Sequence, residues 1–150
     1  MRKALAVALM FVAGAAAAQN HVAKCHKPSD IEAEQAILFQ TELMVVAEAC
    51  RDKAYIDFLR RNKDQVIAYQ KQMIEFFRRH GESKADIAFD SWHTRIANQS
   101  ALRNSQVPVS VLCAEGKTLL DTANMLKPKD FKTYAAEKAN LHRQYYVACR

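Results

Sequence analysis

Four cysteines, Cys25, Cys50, Cys113 and Cys149, all fall downstream of a stretch built like an export leader. That combination constrains the fold more than any other feature of the chain. An even number of cysteines in an oxidising compartment reads as a disulfide framework, here two bonds. The competing reading is a metal site. Zinc knuckles want closely spaced cysteine pairs, and no two of these cysteines are near neighbours in the chain. Two structural disulfides are therefore expected.

The leader itself is residues 1–18. Arg2 and Lys3 supply a positive start, Ala4 to Ala18 carry no charge, and Ala16 and Ala18 fit a small-x-small cleavage site. The uncharged run falls short of the roughly 20 residues that span a bilayer, so a cleaved signal peptide is expected rather than an anchor. Val22-Ala23-Lys24 ahead of Cys25 argues against a lipoprotein. The expected mature chain runs from Gln19 to Arg150, in the periplasm or secreted. Its roughly 130 residues are enough for one domain with a real core. Losing Arg2 and Lys3 lowers the formal charge from +6 to +4. This excess is scattered, whereas nucleic-acid binding needs a dense basic face, so no nucleic-acid partner is expected.

Glycine and proline are scarce beyond the leader, and apolar residues recur every three or four positions. An all-α, up-down-like bundle of about five helices follows. The first helix runs from about Ser29 to Cys50, with Ser29 and Asp30 as capping residues. The second spans about Lys53 to His80 and stops at Gly81. The third covers about Ser83 to Ser105. Pro108 opens the fourth, to about Met125, and Pro128 opens the fifth.

This layout constrains the disulfides. A helix over residues 29–50 separates its ends by about 30 Å, while bonded cysteine Cα atoms lie within about 7 Å. Cys25 therefore does not pair easily with Cys50. The end of the first helix and the start of the fourth share a pole, which favours Cys50–Cys113. Cys25–Cys149 follows by elimination, although a simple up-down layout puts those two cysteines at opposite poles. Either the layout or the pairing must bend.

The third helix breaks the pattern. After Ile96 it reads Ala97-Asn98-Gln99-Ser100-Ala101-Leu102-Arg103-Asn104-Ser105, nearly without large apolar side chains and rich in poor helix formers. Such a departure can mark a functional surface. Trp92, Gln99 and Arg103 fall on one face, and His93, Ser100 and Asn104 on another. The candidate binding residues are Trp92, His93, Asn98, Ser100 and Arg103. The plainer readings are a solvated helix face or a close helix contact through small residues.

No HExxH, GxSxG, P-loop or CxxCH motif is present, and the sequence argues against an enzyme. Cleavage after Ala18 would expose Gln19-Asn20-His21, whose amine, amide and imidazole nitrogens suit square-planar Cu(II) or Ni(II), with His26 as a further ligand. Cyclisation of Gln19 or a shifted cleavage would abolish that site. The basic cluster Arg78-Arg79-His80 reads as a solvated C-terminal turn, with Glu75 and Arg79 as a surface pair.

The stretch Phe39-Gln40-Thr41-Glu42-Leu43-Met44-Val45-Val46-Ala47 with Cys50 resembles small exported helical proteins of alphaproteobacteria. Arg79-His80-Gly81, Thr94-Arg95-Ile96-Ala97-Asn98-Gln99-Ser100 and Cys113 extend the resemblance. It implies periplasmic residence and the Cys50–Cys113 bond, and no activity. It also draws attention to Glu42, Asn98 and Ser100, which a buried hydrogen-bond network between the first and third helices would explain. The expectation from the whole sequence is a non-catalytic envelope protein that binds or supports an envelope protein or surface component. A small-ligand or Cu/Ni-binding module using His21 is the alternative.

Overall fold

The computed structural model describes residues 24–140 and 146–149. The proposed leader, Gln19 and His21 lie outside them. Among the described residues five helices form: α1 (Pro28–Cys50), α2 (Ala54–Arg79), α3 (Ala85–Asn104), α4 (Val109–Met125) and α5 (Pro128–Asn140). A two-residue parallel bridge joins β1 (Cys25–His26) to β2 (Val147–Ala148). The all-α bundle held by two disulfides is as expected, and the helix boundaries shift by only a few residues.

Local chemistry explains the starts and stops. Pro28 opens α1, where its missing N–H costs nothing. Asp30 caps from inside the helix, accepting the Lys27 N–H at 2.7 Å. Arg51 ends α1 in the left-handed region (φ 54), and the Asp52 N–H returns to the Ala47 carbonyl. Gly81 (φ 85) follows the last turn of α2, as its position in the sequence implies.

The core is aromatic. Phe39 of α1, Phe58 of α2 and Phe131 of α5 are essentially buried. Phe58 and Phe131 meet edge-on with centroids 5.3 Å apart. Leu43, Met73 and Leu120 fill the space around them.

Both disulfides form as expected: Cys50–Cys113 with Cα atoms 5.5 Å apart, and Cys25–Cys149 at 4.8 Å. It is the layout that bends. α1 and α2 run antiparallel, since Arg79 near the end of α2 reaches Asp30 near the start of α1. α4 does not descend alongside them. Cys113 is bonded to the end of α1, and the Asn124 amide donates to the Ala54 carbonyl at the start of α2. Both ends of α4 therefore stay at one pole. α5 then packs along α1, and β2 reaches the opposite pole, where Cys149 meets Cys25. Among the described residues no helix is long and apolar enough to cross a membrane.

Candidate functional site

A cleft of about 280 Å³ opens between α1, α3 and α5. Its α3 wall carries Trp92, Arg95, Gln99, Ser100 and Arg103. These recur every three or four residues, so one helix turns them all toward the cleft. The α1 wall supplies Glu34, Thr41 and Glu42, and α5 brings Lys138.

Three of the five residues singled out in the sequence, Trp92, Ser100 and Arg103, therefore line one cleft. His93 stands just behind it. Its Nε2 lies 3.0 Å from the Thr41 hydroxyl, and that hydroxyl donates its own proton to the Ile37 carbonyl at 2.7 Å. The imidazole thus donates through Nε2. Burial lowers the pKa of His93, with the Asp90 charge opposing. Asn98 points elsewhere, into an apolar groove of about 660 Å³ between α1, α3 and α4.

The α1–α3 hydrogen bond joins Thr41 to His93, not the Glu42, Asn98 and Ser100 that the resemblance pointed to. Asn98 is exposed. Ser100 is only 3% exposed, yet among the described residues its Oγ has no hydrogen-bond partner. Buried polar atoms are almost always satisfied, so this hydroxyl at the cleft wall is an exception that asks for a reason.

Charge in the cleft is uneven. Among the described residues Arg95 and Arg103 form no ion pair or side-chain hydrogen bond. Lys138 lies over the Tyr134 ring, 5.2 Å from its centroid, within reach of a cation–π contact. Burial first, then the Asp30 charge, pushes Glu34 up to about 7. The cleft therefore holds three cations against Glu42 and a half-neutralised Glu34.

Glu34 also faces the pole that the terminal disulfide closes. Its Oε2 lies 3.4 Å from His26 Nε2. His26 stacks on Phe76 at 4.6 Å, with Tyr146 edge-on at 5.0 Å. Beneath them Asp30, fully buried, accepts hydrogen bonds from Gln72 and Arg79. Burial would raise the Asp30 pKa, but the Lys27 N–H, Gln72 and Arg79 outweigh it and hold it below the ordinary value. Arg79 is thus not the partner of Glu75, which pairs with Arg78. His26, a candidate metal ligand, is committed to this packed cluster. Among the described residues no three His, Cys, Asp or Glu side chains are placed to hold a metal ion.

The α3 stripe could have been read in full from the sequence, because Arg95 stands three residues after Trp92 and four before Gln99. Glu34 and Lys138 could not, since they arrive from other helices. Compared with protein-family models, curated proteins and solved structures, the chain finds no match.

Proposed function

We propose that the protein is an exported, non-catalytic binding protein of the cell envelope, and that its binding site is the α1–α3–α5 cleft with the polar face of α3. The observation that carries this reading is Ser100: a buried hydroxyl without a partner among the described residues, on a cleft wall with two arginines that have no counter-ion among them. In the free protein that arrangement leaves hydrogen-bonding capacity unused where water access is poor. A bound molecule or a partner side chain would use it. The absence of any motif that assembles a nucleophile and its base supports binding over catalysis.

Native mass spectrometry of the protein taken from the compartment to which it is exported tests the reading. The expected result is a species heavier than the chain, whose extra mass is lost when Trp92 and Arg103 are both changed to alanine. Retention of the same bound mass by that variant would refute the cleft as the site. A denatured mass from the same sample reports the mature terminus and the four hydrogens lost to two disulfides.

A further inference from the structure

We infer that the cleft is a site for a small amphipathic anion, a carboxylate or phosphate monoester with a short apolar body. This rests on the cleft being the binding site and goes further by naming the chemistry of what it holds. Arg95, Arg103 and Lys138 converge from two helices on one opening. Guanidinium forks match planar carboxylate and phosphate oxygens. The Ser100 hydroxyl, buried and without a hydrogen-bond partner among the described residues, belongs to the same cleft wall.

The acidic side chains do not cancel this field. Glu42 is one carboxylate against three cations, and Glu34 shares its environment with His26. An apolar cation would meet the arginines unfavourably. The remaining wall is apolar: Leu38, Phe39, Trp92 and Ile96 offer a surface to a hydrocarbon or ring. A cavity of about 280 Å³ falls just under the roughly 300–1,000 Å³ of ligand sites, so the occupant is smaller than a typical cofactor.

Trp92 is the only tryptophan in the chain and it lines the cleft, so its fluorescence reports occupancy directly. The full mature protein is titrated with hexanoate, hexyl phosphate and hexylammonium at equal ionic strength. The expected result is a saturable change with at least one of the two anions and none with the cation. The preferred anion then tells carboxylate from phosphate recognition. Arg95→Gln and Arg103→Gln should each weaken binding about tenfold or more, the loss of one charge-assisted hydrogen bond. Ser100→Ala should weaken it by several-fold, with an unchanged circular dichroism spectrum showing that the bundle still forms.

Equal responses to hexanoate and hexylammonium would overturn the inference, since only the apolar wall would then be engaged. Wild-type affinity in both arginine variants would overturn it too, as would no saturable response to either anion. A neutral or cationic molecule found on the native protein, and lost with Trp92 and Arg103, would end the anion assignment while leaving the cleft as the binding site.

Discussion

His93 and Thr41 tie α3 to α1 through a single hydrogen bond of 3.0 Å, and the Thr41 hydroxyl passes the chain on to the Ile37 carbonyl. Thr41 is 1% exposed, so water does not take the place of the imidazole when His93 is removed, and valine at 41 sets a methyl group against the His93 N–H. His93→Ala and Thr41→Val should each cost about 1–2 kcal/mol. The double variant should cost less than the sum, by about 0.5–1.5 kcal/mol. Urea denaturation of the four proteins in a double-mutant cycle measures this, and strict additivity would show that the bond contributes nothing.

At the pole closed by Cys25–Cys149, Arg79 neutralises Asp30 at 2.6 Å, with the carboxylate fully buried. Arg79→Ala leaves that charge with only the Lys27 N–H and Gln72. A loss of about 3–5 kcal/mol is expected, the usual cost of breaking a buried pair from one side. Arg79→Ala combined with Asp30→Asn should recover part of it. Glu75→Ala, which breaks only an exposed pair with Arg78, should stay within about 0.5 kcal/mol of wild type. Because the Asp30 pKa is held below its ordinary value, the stability it contributes is present above about pH 4 and is lost as pH falls further.

The contrast between these two positions shows what could be read without coordinates. Helix ends depend on neighbours in the chain, so Gly81, Pro108 and Pro128 mark them directly. Cys50–Cys113 followed from two helix ends sharing a pole. Arg79 looked like a partner for Glu75 because they stand four residues apart. The competing carboxylate comes from α1, 49 residues earlier, and no local pattern announces it. The crossing path of α4 was hidden for the same reason, as was the bridge at Cys25–His26, which is too short to show a strand period. Of the candidate site, the α3 stripe was legible because one helix makes it. The remainder of the cleft exists only once three helices meet.

Glu34 and His26 give the fold an uncommon pH dependence. Burial and then Asp30 raise Glu34 from 4.5 to about 7, so between those values the folded chain holds a proton that the unfolded chain has released. Stability from this group therefore falls as pH rises from about 4.5 to about 7, by roughly 3 kcal/mol in all at 1.36 kcal/mol per pK unit. His26 works in the opposite sense. Burial lowers its pKa despite the Asp30 charge, so its contribution is full above about pH 6.5 and is lost as pH falls. Glu34→Gln should abolish the decline between pH 5 and 7 and leave only the rise from the histidines. Chemical denaturation at several pH values in that window gives the answer, and an unaltered profile in the variant would show that Glu34 ionises freely.

At Gly116 α4 passes directly against Val46 of α1. A Cβ built there would lie 2.2 Å from Val46 Cγ1, well inside contact distance. Gly116 stands one turn after Cys113, and Val46 one turn before Cys50, so the glycine and the disulfide lie on the same seam. In an open helix, alanine in place of glycine would stabilise by about 1 kcal/mol. Here the added methyl must move Val46, which is 3% exposed, or push the helices apart against the disulfide. Overpacking of this kind costs about 1–3 kcal/mol. Gly116→Ala should therefore be neutral to destabilising by about 2 kcal/mol, where helix propensity alone predicts a gain. Val46→Ala vacates the space that the new methyl needs. On that background Gly116→Ala should become neutral or stabilising, a change of sign that thermal or urea unfolding would resolve. If Gly116→Ala stabilises both backgrounds equally, α4 does not need a glycine to pass α1.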